Sequence, residues 1–194
     1  QIELEMQKEE LMLAKEQAEI ATQKYTELYD FAPAGYFTLT NSGKVVELNL
    51  AGSQLLRKQR SNLVNSQFGF FISNDTKSIF NNFLDNVFTK DVKEYCEVKL
   101  FLEDGFQMNA YLTGILSESK DHALITVVDI TELKVTELAL RQSEERYREL
   151  LNNLDVGIIL HDKDSKVIFS NPKASKLIGL SKEKIIEKQA YNPV

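Results

Sequence analysis

The chain has 194 residues, 43% of them hydrophobic and 27% charged, with a formal net charge of -6, which is the balance of an ordinary folded chain and excludes a disordered or fibrous one. The excess of acid over base excludes a general affinity for nucleic acid or anionic lipid, which needs clustered positive charge. The single cysteine excludes an internal disulfide and fits a reducing compartment, and no apolar run reaches the roughly 18–20 residues that cross a bilayer; the segment is read as cytoplasmic, with any membrane anchor elsewhere in a longer parent.

Residues 1–29 hold no Gly or Pro and consist mainly of good helix formers. Leu4, Gln7, Leu11, Ala14, Ala18, Ala21, Tyr25 and Leu28 alternate at three- and four-residue spacing, the seam of a heptad repeat. Two such helices pressed together would bury the seam in a parallel homodimer. A single helix lying on its own domain would leave the same pattern.

Phe31 to Gly35 breaks that period. Tyr36 to Thr40, a turn at Asn41-Ser42-Gly43-Lys44, and Val45 to Leu48 then read as strand, turn and strand. Asn49 is placed to cap a helix running to about Arg60, followed by a short helix from Ser61. The cations Arg57, Lys58 and Arg60 fall where that helix should end, and there they would favour the helix dipole. After a connector carrying Phe68, Phe70 and Phe71, Asp75 or Thr76 opens a helix with Ile79, Phe80, Phe83, Leu84, Val87 and Phe88 on one face.

Beyond Asp91 the period becomes two. Cys96, Val98, Leu100 and Leu102 alternate with Glu97, Lys99 and Glu103, and Asp104-Gly105 signals a hairpin. Met108, Ala110 and Leu112 mark the return strand, and Ala123 to Val128 a buried one. Five strands with the helices gathered between the second and third predict an α+β fold with an antiparallel sheet. The last strand runs into Asp129-Ile130-Thr131-Glu132, where Asp129 and Glu132 have capping-box spacing, and a helix continues to about Leu154.

The same unit occurs twice. Tyr25, Glu27, Leu28, Gly35, Lys44, Val45, Asn49, Ser53, Leu55 and Gln67 recur 122 positions later as Tyr147, Glu149, Leu150, Gly157, Lys166, Val167, Asn171, Ser175, Leu177 and Gln189. Val46, Leu56, Leu63 and Val64 are matched by Ile168, Ile178, Ile185 and Ile186. A fixed period defines a folding unit. The organisation expected is an entering helix over 1–29, a complete domain over 30–131, a connecting helix over 129–154, and the front part of a second domain over 155–194. In the second copy Asn171-Pro172 gives a cap followed by Pro at the first helical position, whereas Ser165 stands where the first has Gly43. The seam of the connecting helix (Leu133, Thr136, Leu140, Ser143, Tyr147 and Leu150) repeats Leu11 to Leu28, so both helices enter their units in one rotational phase.

In order and in duplicate, these features resemble the PAS family of sensory modules: Gly35 and Gly157 before the first strand, Asn49 and Asn171 after the second, the Asp104-Gly105 hairpin, the Asp129-Ile130-Thr131 exit, and the Ser143-Glu144-Glu145-Arg146-Tyr147 lead-in. The resemblance implies a five-stranded antiparallel sheet with helices over one face and a pocket between them. It also implies output through flanking helices, with Asp129, Ile130 and Thr131 as the signal exit. Leu4, Leu11, Ala14, Ala18, Ala21, Leu133, Leu140 and Tyr147 are the expected dimer seam.

No catalytic constellation can be assembled. His122 stands at a strand start and His161 within a strand, and two His with one Cys give neither zinc-ligand spacing nor a nucleophile pair. The eight Gly form no phosphate loop. Cys96 lies on an alternating strand and not in a flavin-type motif, the long helix has no His for haem, and there is no Trp; neither flavin, haem nor metal is expected. Phe80, Phe83, Leu84 and Val87 facing Cys96, Val98, Leu100, Met108, Ala110 and Leu112 are the candidate pocket for a small apolar or carboxylate-bearing ligand, although a filled core leaves the same pattern. The expected role is the regulatory part of a two-component signalling protein, with the catalytic part of a histidine kinase beyond Val194. The rivals are a dimerisation array that senses nothing, and a module of a cyclic-dinucleotide synthase or phosphodiesterase.

Overall fold

The computed structural model describes residues 2–90, 92–102 and 105–180, with side chains from Met6 onward. Asp91, Glu103 and Asp104 of the expected second hairpin, the Leu4 side chain, and Ile185, Ile186 and Gln189 of the repeat lie outside the described residues. The chain forms two compact units that divide between Lys134 and Val135.

In the first unit, helix α1 (Ile2–Asp30) leads into strands β1 (Gly35–Leu39) and β2 (Val45–Leu48), then helices α2 (Leu50–Leu55) and α3 (Arg60–Leu63), a 3₁₀ turn at Phe68–Phe70, and helix α4 (Lys77–Lys90). Strands β3 (Glu94–Phe101), β4 (Gln107–Leu116) and β5 (Ala123–Asp129) complete a sheet of order β2-β1-β5-β4-β3. Every neighbouring pair is antiparallel, with registers that include Phe37↔Leu48, Phe37↔Ile125, Cys96↔Leu112 and Leu112↔Val127. The alternation in the sequence becomes one buried face: Phe37, Leu39, Val98, Leu100, Met108, Ala110, Leu112, Ala123, Ile125 and Val127 point to the helices. Against them pack Leu56, Leu63, Phe68, Phe80, Phe83, Leu84 and Val87. Burying each large side chain contributes about 1.5–3 kcal/mol, so this single layer holds the unit together.

Three local expectations need correction. The helix after Asn49 ends at Leu55, not Arg60. Arg57 takes left-handed backbone at φ 53, its N–H bonds to the Gln54 carbonyl, and the Lys58 N–H reaches back to Ser53, a C-terminal motif that stops the helix. None of Arg57, Lys58 and Arg60 therefore lies in the last turn of that helix. Arg57 lies over the Phe106 ring, Lys58 over Phe71, and Arg60 beside Asp30 and Glu47. On α4, Ile79 falls off the buried face and is 44% exposed.

In the second unit, residues of helix α5 (Thr131–Asn153) lead to strands β6 (Ile159–His161) and β7 (Val167–Ser170) and helix α6 (Pro172–Ile178). Asn171 caps α6 with Pro172 at its first turn, as the sequence predicts. Ser165 adopts φ 59 where Gly43 has φ 79, so the turn survives the loss of its glycine. The Asp162 side chain braces it by accepting from the Asp164 and Lys166 amides.

Candidate functional site

Nine of the ten expected pocket residues lie in the core cluster, and Cys96 is half-buried against it. The sheet and α4 close tightly there. A Cβ placed on Gly114 would stand 2.8 Å from each of Phe83, Val87 and Ile125. Phe37, Phe68, Phe80 and Phe83 make a chain of ring contacts with centroids 5.0, 5.5 and 6.4 Å apart. Burial pushes the Cys96 thiol from 9.0 up to about 12, which keeps it protonated and unreactive.

The entrance of α1 is built around Asn49, which is fully buried. Its Oδ1 accepts from the Gly52 amide, the helix cap, and from the Tyr36 amide at the start of β1, both at 2.8 Å. Its Nδ2 donates to the Tyr29 carbonyl in the last turn of α1 at 2.8 Å and to the Ala34 carbonyl at 3.0 Å. One side chain thereby joins the entering helix, the first strand and the next helix. Asp30, the last residue of α1, accepts from the Leu50 amide at 3.0 Å, and the Arg60 guanidinium stands 3.5 Å from it and 3.9 Å from Glu47.

Tyr25, Tyr29 and Tyr36 stack in a ladder with centroids 5.8 and 5.9 Å apart, so α1 also rests on the outer face of the sheet. They line a groove of about 530 Å³ with Thr38, Glu47, Lys93, Thr113 and Thr126. Burial, with Glu47 nearby, pushes the Tyr29 hydroxyl from 10.0 up to about 12. Sequence reasoning missed Tyr29, Asp30 and Tyr36. Their partners are remote in the chain, and the ladder is not repeated, since Leu151 and Ile158 replace Tyr29 and Tyr36 in the second copy.

The exit is equally specific. Ile130 donates its N–H to the Asn109 carbonyl of β4 at 2.8 Å, and the Thr131 hydroxyl accepts from the Asn109 amide at 2.9 Å. Asp129 accepts from the Thr131 amide at 2.8 Å, a different bond from the capping box expected with Glu132. One turn on, Lys134 pairs with Glu97 of β3 at 2.7 Å. The start of α5 is thus held on two strands.

The expected seam is exposed on both helices. Leu11, Leu133, Leu140 and Tyr147 are 72%, 63%, 62% and 67% exposed, and Ala14, Ala18 and Ala21 are exposed too. Asn171 in the second unit reproduces Asn49 bond for bond. It accepts from the Ile158 and Ala174 amides and donates to the Leu151 and Val156 carbonyls, at 2.8–2.9 Å. Each of these partners lies 122 positions after its counterpart. The repeated glycines have a shared reason as well, because a Cβ on Gly35 or Gly157 would meet the backbone of Gly52 or Ala174 at 3.0 Å.

A five-stranded antiparallel sheet with helices between its second and third strands, helix-capping Asn and helices tied to both ends of the sheet defines a sensory module of the PAS class. The family models agree: the PAS domain model matches residues 33–132 and the PAS fold model residues 145–194. The chain belongs to the PAS family. Sporulation kinase E of Bacillus subtilis (strain 168) is 25% identical over 167 residues, which is 86% of this chain but 22% of the kinase. The chain thus spans about a fifth of that relative's length. The PAS domain of an HTR-like protein from Haloarcula marismortui is 18% identical with a TM-score of 0.54, covering 61% of this chain and 99% of that one. A sensory box histidine kinase/response regulator from Burkholderia thailandensis E264 is 18% identical with a TM-score of 0.50, over 61% and 92% of the two chains. Among the described residues no helix is long and apolar enough to cross a membrane.

Proposed function

We propose that the chain is the cytoplasmic sensory region of a two-component signalling protein, working as a homodimer and passing a ligand- or partner-induced change through its helices to a downstream histidine kinase. Catalysis belongs to that downstream part, and no flavin, haem or metal takes part here. The observation that carries this reading is the duplicated asparagine junction: both helices end on the same four bonds. A sheet displacement acts on the Ile130 and Thr131 bonds to Asn109 and so turns the start of α5. Thr136 and Ser143 weaken the seam of α5, which leaves two helix packings within a few kcal/mol, the condition for a switch. Similarity to Sporulation kinase E supports a kinase as the output.

The test is one residue added, and separately one deleted, between Lys134 and Gln142 of the full-length protein. Each shifts the helix phase by about 100° and should change autophosphorylation several-fold while leaving the melting of the first unit in place. Unchanged phosphorylation in both would contradict the reading. The tight packing around Gly114 favours a second reading, a dimerisation array that senses nothing. A native-state ligand raises the melting midpoint, so a metabolite panel that leaves it fixed would support the array.

A further inference from the structure

Both junctions share their asparagine bonds, but residue identity removes the remaining ties from the second. In the first unit the Asp30 carboxylate accepts from the Leu50 amide at 3.0 Å, while the Arg60 guanidinium stands 3.5 Å from it and 3.9 Å from Glu47. The repeat puts Asn152 in place of Asp30, Pro172 in place of Leu50 and Phe169 in place of Glu47. Proline has no N–H to donate, so the bond to Leu50 has no successor, and neither Asn152 nor Phe169 carries a charge that could hold a guanidinium. The tyrosine ladder is lost in the same way. Of the three rings that stack at 5.8 and 5.9 Å only Tyr147 remains, since Leu151 and Ile158 stand for Tyr29 and Tyr36, and stacked rings hold more than their buried area alone provides. The second unit adds an ion pair between Lys173 and Asp155, whose side chain is 93% exposed, and an exposed pair holds little.

We infer that the second joint is the one that yields: α1 and the first unit hold together as one body, whereas the end of α5 parts from the second unit, at residues 149–159, far more readily. Opening there breaks the Asn171 bonds to the Leu151 and Val156 carbonyls, but the Asn171 Oδ1 can go on accepting from the Ala174 amide. The joint therefore opens without unwinding α6, as a local event below the stability of the whole unit. A turn arriving along α5 is met by movement at this joint, and the second unit receives it as a change of attachment. That last consequence rests on the sensory reading above; the inequality of the joints does not.

Amide hydrogen exchange of the full-length protein tests it, read as protection over residues 27–32 and 149–154. The second stretch should exchange at least about tenfold faster than the first after correction for residue type. Giving the first joint the second's residues, with Tyr29→Leu, Asp30→Asn and Tyr36→Ile together, should speed exchange over 27–32 at least about tenfold and leave the Ala123–Asp129 strand unmoved. The reverse exchange, with Leu151→Tyr, Asn152→Asp, Ile158→Tyr and Pro172→Leu together, should slow residues 149–154 several-fold. Equal protection of the two stretches in the wild type, an unmoved stretch in either folded variant, or a loss over 27–32 shared equally by the Ala123–Asp129 strand would each overturn it. The wild-type comparison needs no substitution, so it decides the matter even where a variant misfolds. Exchange reports the joints alone, whereas phosphorylation of the phase-shifted variants reports the sensory reading, so the two fail separately.

Discussion

The Thr131 hydroxyl accepts a hydrogen bond from the Asn109 amide at 2.9 Å, so the first residue of the exit helix is stitched to strand β4. Replacing Thr131 by Val keeps the shape and removes the acceptor. Leaving the Asn109 amide without it should cost the first unit about 1–2 kcal/mol, whereas Thr131→Ser should cost much less. Lys134→Gln, which breaks the exposed pair with Glu97, should stay within about 1 kcal/mol. Urea unfolding of the first unit checks the order. Equal losses for all three would show that the hydroxyl has no special part.

Gly114 tests how completely α4 is seated on the sheet. With three side chains at 2.8 Å from its missing Cβ, Gly114→Ala should destabilise by about 1–3 kcal/mol through overpacking. Gly69→Ala should be near neutral, since its nearest neighbour, Phe80, stands at 3.9 Å. Adding Phe83→Leu to Gly114→Ala should recover part of the loss. A neutral Gly114→Ala would mean that the layer beneath α4 gives way easily, as a ligand cavity there would require.

Stability should fall between pH 9 and 12. Both Cys96 and Tyr29 keep their protons in the fold up to about 12, against 9.0 and 10.0 ordinarily. The unfolded chain therefore ionises first, and their contribution is whole below pH 9 and lost as pH rises, from 9 for the thiol and from 10 for the phenol. Cys96→Ala and Tyr29→Phe should each flatten the decline over their own interval. A wild-type profile level from pH 9 to 12 would contradict the burial of both groups. At about pH 8 the native thiol should also react with a disulfide reagent far more slowly than it does in urea.

The fold was legible because its signals are periodic. Two-residue alternation from Cys96 to Leu112 located the β3-β4 pair, and the 122-residue repeat located the second copy. Asn49 was legible as a cap because Gly52 is three residues away, but its bonds to Tyr29, Ala34 and Tyr36 span 13 to 20 residues, and no local pattern announces them. Recurrence of Asn at the same place in both copies was the available sign of a wider duty. Arg57 was misread for a related reason. A run of cations looks alike whether its backbone stays helical or turns left-handed, as it does at Arg57. Nine of the ten residues expected to face a pocket are buried core, because alternating and helical spacing marks which side chains turn inward and not whether space is left between them.

Asn49→Asp and Asn171→Asp give the most direct test of the central claim, that one asparagine per unit couples the entering helix to the sheet. A carboxylate still accepts from Gly52 and Tyr36, or from Ala174 and Ile158, but cannot donate to the carbonyls of the helix end and connector. Amide hydrogen exchange on the chain should accelerate at least about tenfold over residues 27–37 in the first variant only, and over residues 149–159 in the second only, with the Ala123–Asp129 strand unchanged. Unaltered exchange at both junctions in folded variants would contradict the account.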